Sequence, residues 1–182
     1  MMIQDVTHDE CRHLLTQLHL GRIGAAKDNQ PYVLPFYFSY DDGYLYSFST
    51  VGQHIEWMRA NPKVCVETDE IVGLEEWVSI VIFGHYQELV DTPELKMERD
   101  KAYRLLQKKK LWWEPGYTKT MIKGIARPMI PVYFRVRIMQ LSGRHTAPDH
   151  ETVAPTVSPI DQPSNPSIRD ILAALRARLY KP

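Results

Sequence analysis

Ser47, Ser49, Thr50, Gly52, Gln53 and His54 crowd into the stretch "LYSFSTVGQHIEWMRANPKV", residues 45–64. Its first part alternates like a strand, and its last part has helical spacing up to Asn61-Pro62, so the polar residues fall at a strand-to-helix join. Such a join gathers backbone N–H groups that no helical carbonyl accepts, and the helix dipole adds partial positive charge there. Hydroxyls, a glycine that permits close backbone approach, and Gln53 and His54 at the helix start suit a phosphate group. Residues 47–54 contain no Lys or Arg. The charge for an anion therefore has to come from a protonated His54 or from a basic residue elsewhere. The alternative is that the hydroxyls and His54 only cap the helix.

These residues need a frame. "VTHDECRHLLTQLHLG" predicts a helix: Thr7 and Glu10 form a capping box, Cys11, Leu14, Leu15 and Leu18 share an apolar face, and Gly21 supplies the stop. "RIGAAK" and "PYVLPFYFSY" flank the turn "DNQ", and the second run and "YLYSFS" flank "DDG", which predicts two hairpins. After the helix "HIEWMRA" come "KVCVET" and "WVSIVIFGHYQELV". The Val and Ile of the latter predict a strand buried on much of both faces, with Gly84 marking a bulge or bend. Thr92 as N-cap and Pro93 open another helix, with Leu95, Met97, Ala102, Leu105 and Leu106 on its apolar side. In the last strand, "PVYFRVRIMQLSG", Val132, Phe134, Val136 and Ile138 alternate with Tyr133, Arg135, Arg137 and Met139.

From Arg144 onward the composition turns to Pro, Ser, Thr and Asp. The expected organisation is a domain over 1–145, a Pro-rich linker or arm over 146–166 and an amphipathic helix over 167–182. Ser167 caps that helix, and Ile168, Ile171, Leu172, Leu175 and Leu179 form its stripe. A stripe of this kind has to be buried, and a partner subunit is the expected place. Six β segments joined by short hairpins, with a few helices, predict a small, mainly antiparallel barrel.

Lys+Arg and Asp+Glu number 22 each in 182 residues, so no overall field draws the chain to nucleic acid or to a membrane. The start "MMIQDVTHDE" lacks a signal-peptide pattern, and no apolar run approaches the roughly 20 residues a bilayer requires. A cytoplasmic location is expected. Cys11 and Cys65 fit no metal spacing, and the histidines show no HxH or HExxH pattern, so no metal is expected.

The order of "GRIGAA", "PYVLPFYFSYDDGYLYSFS", "VGQH…NPKVCVE" and "WVSIVIFG" resembles the flavin-binding split-barrel family, from about Leu20 to about Gly143. That family includes pyridoxamine 5′-phosphate oxidase and the nitroimidazole-resistance reductases. The resemblance implies a six-stranded antiparallel split barrel that forms a homodimer, with FMN at the subunit interface. It places backbone groups of Tyr32, Leu34, Pro35 and Phe36 on the polar edge of the isoalloxazine ring. Ser47, Phe48, Ser49 and Thr50 then approach the ribityl chain and phosphate, and Gln53 and His54 stand where the oxidase has a basic pair. Ser79 matches a polar position near the flavin, with Trp77 two residues away. The chain departs from the oxidase at Gln53-His54 and lacks its C-terminal basic substrate motif. It also lacks the His that many nitroimidazole-resistance relatives carry near Ser47.

In "LWWEPGYTK", Trp112, Trp113 or Tyr117 would stack on a planar ring, or the two tryptophans simply pack a loop. Lys119 and Lys123 are candidate phosphate cations. His85, His145 and His150 are candidate haem ligands, a lone His more often being a surface or packed residue. The function expected is an FMN-dependent oxidoreductase reducing a small planar or nitro-aromatic substrate by hydride transfer at flavin N5. NAD(P)H would be a transient reductant, since no G-x-G-x-x-G appears. A flavin carrier or sensor without turnover and a haem-binding barrel are the alternatives, and FAD or a deazaflavin the alternative flavins. No catalytic residue is assigned.

Overall fold

The computed structural model describes residues 2–73, 75–108, 120–122, 125–127 and 130–147. Along them run strand β1 (Met2–Val6), helix α1 (His8–Leu15), strands β2 (Leu20–Lys27), β3 (Gln30–Tyr37), β4 (Ser39–Asp41) and β5 (Tyr44–Thr50), and helix α2 (Gln53–Ala60). Strands β6 (Lys63–Gly73) and β7 (Glu76–Glu88), helix α3 (Lys96–Gln107), the short strands β8 (Thr120–Ile122) and β9 (Ile125–Arg127), and the long strand β10 (Pro131–Ala147) follow. Trp112, Trp113, Tyr117, Lys119, Lys123, His150 and the whole of residues 148–182 lie outside the described residues.

Eight strands form one antiparallel sheet in the order β3-β2-β6-β7-β10-β5-β4, with β1 added on β10; β8 and β9 pair with each other. Six strands were expected. The two extra are β1, a short N-terminal run without clear alternation, and β4, which Phe38 separates from β3. That separation closes the barrel. β3 and β4 stand at opposite ends of the strand order yet are one residue apart in the chain, so the sheet has to curl until its ends meet.

Both predicted hairpin turns are present. Asp28 and Asn29 have φ of 50° and 61°, and Asp42 and Gly43 have 43° and 78°, which suit the right-handed twist of the strands they join. The Thr7–Glu10 capping box forms, and Cys11, Leu14, Leu15 and Leu18 are buried. Gly21 does not stop the helix. α1 ends at Leu15 with Thr16 as C-cap, and Gly21 lies in β2, where a Cβ would meet the Glu67 carbonyl oxygen at 2.8 Å. Thr92 does not cap α3 either. A turn closes first, with the Leu95 N–H on the Thr92 carbonyl at 3.2 Å, and the helix begins after it. Its buried face is Ala102 and Leu106, while Met97 is exposed. The helix is turned so that Glu98 accepts hydrogen bonds from the Tyr46 hydroxyl (2.9 Å) and Arg135 (2.6 Å).

β10 ties the sheet together. It pairs with β7 along most of its length, while its other edge pairs first with β5 and then with β1. Its register against β7 slips between Ile138 and Gln140, a bulge at Met139 opposite Gly84. A Cβ on Gly84 would lie 2.4 Å from Val136 Cγ1 and 2.8 Å from the Arg137 carbonyl oxygen, so the bend in β10 needs glycine beneath it. The interior is filled by Ile23, Phe38, Leu45, Val66, Ile80, Ile82, Phe134 and Val136, with α1 and α2 adding Leu14, Ile55 and Met58. β7 is not covered on both faces. Val78, Ile80, Ile82 and Tyr86 are buried, but Phe83 on the outer face is exposed. Among the described residues no helix is long and apolar enough to cross a membrane.

Gly84→Ala is therefore expected to destabilise the protein by about 2–3 kcal/mol through overpacking against β10. Gly73→Ala, where a Cβ meets nothing within 4 Å, should cost less than about 0.5 kcal/mol. Urea midpoints of the two variants check the difference.

Candidate functional site

An antiparallel strand points its backbone groups alternately to one side and the other. In β3 the parity is fixed by two hydrogen bonds. Phe38 N–H donates to the His19 carbonyl at 2.8 Å, so even-numbered positions face β2, whereas the Tyr37 carbonyl accepts from Ser47 Oγ on β5 at 2.6 Å. Tyr32, Leu34 and Phe36 therefore spend their backbone groups on β2. The groups aimed out of the sheet belong to Pro31, Val33, Pro35 and Tyr37. Proline carries no N–H, so Pro31 and Pro35 present carbonyls alone and Val33 presents an N–H and a carbonyl. Of the backbone set expected at this strand, only Pro35 faces outward, and Val33 was missed. Two prolines of the same parity in "PYVLPF" were the signal for it, because they are tolerated only on the side of a strand that has no neighbour.

This edge faces β5 across the split in the barrel. Leu34, Pro35 and Phe36 on one side and Phe48, Ser49 and His54 on the other line a single small cavity of about 50 Å³, closed at its base by Ile23, Tyr37 and Phe134. Ser47 sits at one end of the split, buried and donating to Tyr37, so its hydroxyl ties the two strands together. Thr50 ends β5, and Gln53 begins α2 with its side chain exposed. Tyr32 packs edge-on against Trp57 of α2, ring centroids 5.7 Å apart.

The His54 ring nitrogen Nε2 lies 2.9 Å from Ser49 Oγ. It does not cap the helix: the N-cap is Gly52, and no side chain closes that end. Burial lowers the pKa of His54, which keeps the imidazole neutral at neutral pH. The protonated His54 expected for an anion is thus disfavoured by its own site. Among the described residues, the join offers a neutral hydrogen-bonding cradle with the dipole of α2 behind it. α2 is held from below by Ile55 and Met58, and Arg59 donates from Nε and Nη2 to both Glu88 oxygens, at 2.7 and 2.8 Å. Arg59 and the Tyr86 hydroxyl hold the Glu88 carboxyl below its ordinary pKa.

Trp77 and Ser79 are not brought to this cavity. They lie on β7, with β6 and β2 between them and β3. Ser79 donates to Glu67 at 3.1 Å, and Glu67 in turn accepts from Arg22 at 2.9 Å. Among the described residues no group of three His, Cys, Asp or Glu is placed to hold a metal.

Because burial disfavours the charged imidazole, stability is complete above the unfolded pKa of about 6.5 and falls as pH drops below it. His54→Gln is expected to flatten that part of the decline. Urea midpoints of both proteins between pH 7.5 and 5, compared as a difference, test this; parallel curves would mean that His54 titrates as it does unfolded.

Residues 7–145 match the pyridoxamine 5′-phosphate oxidase family. An uncharacterized protein of Rhizobium meliloti is 36% identical over 144 residues, spanning 79% of this chain and 95% of that protein. The crystal structure of a FAD-binding protein from Mesorhizobium loti is 42% identical, covers 81% of this chain and all of its own, and superposes with a TM-score of 0.68. The FAD-binding protein of Mycobacterium smegmatis, 20% identical, shares the fold with a TM-score of 0.52, covering 78% of this chain and 98% of its own. The chain belongs to the pyridoxamine 5′-phosphate oxidase family and has a split-barrel fold.

Proposed function

We propose that the flavin is held in the split between β3 and β5 and that the protein is an oxidoreductase acting on a small planar or nitro-aromatic substrate. The observation that carries this reading is that the outward backbone edge on β3 faces, across the split whose floor this small cavity marks, the Ser49–His54 pair at the start of α2. A bound flavin supplies hydride transfer at its N5. The chain's part is to bind and orient it. Val33 offers an N–H and a carbonyl side by side, the complement of a cyclic imide edge, and the Pro35 carbonyl is a further acceptor. Phe48, Leu34 and Phe36 supply apolar walls, and Ser49, Thr50, His54 and the first N–H groups of α2 receive a phosphate. NAD(P)H visits only transiently. The reading includes a homodimer in which a second copy closes over the β3 edge.

FMN was expected, and one observation supports FAD. The 42% identical relative from Mesorhizobium loti is a FAD-binding protein.

The visible spectrum of the purified protein, followed by chromatography of the released chromophore, tests the reading. Flavin bands with released FAD are expected, together with flavin-dependent NAD(P)H oxidation and a dimeric mass. A protein that takes up neither FAD nor FMN would overturn it. Val33→Pro, which removes one outward N–H from an edge strand, should weaken flavin retention by about tenfold, one lost hydrogen bond, with little change in ligand-free stability. Equilibrium dialysis of the variant against Val33→Ala checks it, and equal affinities would mean that the edge does not touch the flavin.

A further inference from the structure

β5 is gripped by helix α3 on the side away from the barrel interior. The Tyr46 hydroxyl reaches Glu98 of α3 at 2.9 Å, and Phe48, two residues on, shares that face of the strand. Phe48 stands opposite Tyr133 of β10, with ring centroids 5.8 Å apart. Behind Tyr133 comes α3 again. The Arg99 guanidinium lies 5.3 Å from the centre of the Tyr133 ring, and Tyr103 meets that ring edge-on at 6.4 Å. α3 itself is fixed by Ala102 and Leu106, which are buried, by Glu98 to Arg135 at 2.6 Å and by Lys101 to Asp41 at 2.5 Å.

Backbone parity connects this stack to the split. The Tyr133 carbonyl accepts from the Leu89 N–H at 2.8 Å, so the backbone groups of Tyr133 point away from β5. Tyr133 and Phe48 are therefore a non-hydrogen-bonded pair, in which side chains come closest and the rings make the contact. By the same alternation the backbone N–H and carbonyl of Phe48 point away from β10, toward the split. β4 follows that edge of β5 only as far as Ser39 opposite Tyr46. Phe48 accordingly lines the cavity, beside the Ser49–His54 pair.

We propose that Tyr133 is a positioning residue for the flavin: held between Arg99 and Tyr103 on one side and Phe48 on the other, it sets where the end of β5 stands relative to the β3 edge. This rests on the placement of the flavin in the split proposed above. Tyr133 is not part of the cavity lining, so its effect on the flavin passes through Phe48. The stack gives α3 a part in binding although the helix itself contributes no residue to the cavity.

Equilibrium dialysis against FAD, with the visible circular dichroism of the bound flavin as a second readout, tests this. Tyr133→Ala is expected to weaken FAD binding about tenfold and to alter the dichroism, while Tyr133→Phe, which keeps the ring, stays within about twofold of the unaltered protein. Arg99→Ala leaves Tyr133 in place and removes one side of its clamp, and should weaken FAD binding about threefold. Leu14→Ala, in the core but outside the cavity lining, should lower the urea midpoint with neither effect. A Tyr133 of purely structural value would behave as Leu14 does. Unchanged affinity and dichroism in Tyr133→Ala and Arg99→Ala overturn the assignment, and so does an equal loss of affinity in Leu14→Ala. In both of those cases the unaltered protein still binds FAD and the flavin reading stands, whereas an unaltered protein that takes up no flavin overturns both.

Discussion

Among the described residues β3 pairs as a strand with β2 alone, and the rest of the site follows from how it disposes of its other row of backbone groups. A free edge of this kind is a template for another strand. Here Pro31 and Pro35 remove two of its donors, which prevents β5 or a foreign strand from zipping up against it. The Ser47–Tyr37 hydrogen bond crosses at one end. The barrel is therefore held shut at that end and left ajar beside Val33 and Pro35. The gap is polar along one wall and apolar at its base.

That gap keeps its width because both of its walls are anchored elsewhere. β3 is registered on β2 through a tight two-residue turn, and β2 continues into β6. β5 is registered on β10, whose bulge at Met139 over Gly84 bends the sheet. α2 is carried by the end of β5 and fastened by the Arg59–Glu88 pair and by Asn61, which donates to the Ala26 carbonyl at 2.9 Å. The Ser49–His54 pair is thus set at a fixed distance from the β3 edge by contacts that lie outside the split.

Among the described residues the join carries no charged side chain at the cavity. His54 sits where the family resemblance places a cation, yet its surroundings withhold the water that a charged imidazole needs. Arg22 of β2 is already committed to Glu67 and Asp69.

Much of this was determined by local sequence. The Thr7–Glu10 box, the Asp28-Asn29 and Asp42-Gly43 turns, α2 ending at Asn61 and the alternation of β10 depend on neighbours within a few residues, and each formed as its residues dictate. The join at 47–54 was legible for the same reason. What depended on distant partners was not. Gly21 is a glycine because β6 passes close to it, not because a helix ends there. The start of α3 is set by where Glu98 meets Tyr46 and Arg135. β1 exists because the far half of β10 has an edge to offer. The outer face of β7 is open because, among the described residues, nothing is stacked on it, although its composition reads as doubly buried. Local spacing decides which elements form, since propensity and capping act over one or two turns. Which backbone groups of β3 remain free, and whether His54 carries a charge, only the tertiary structure decided. Both depend on what lies across the split, and no short window of sequence contains both sides of it.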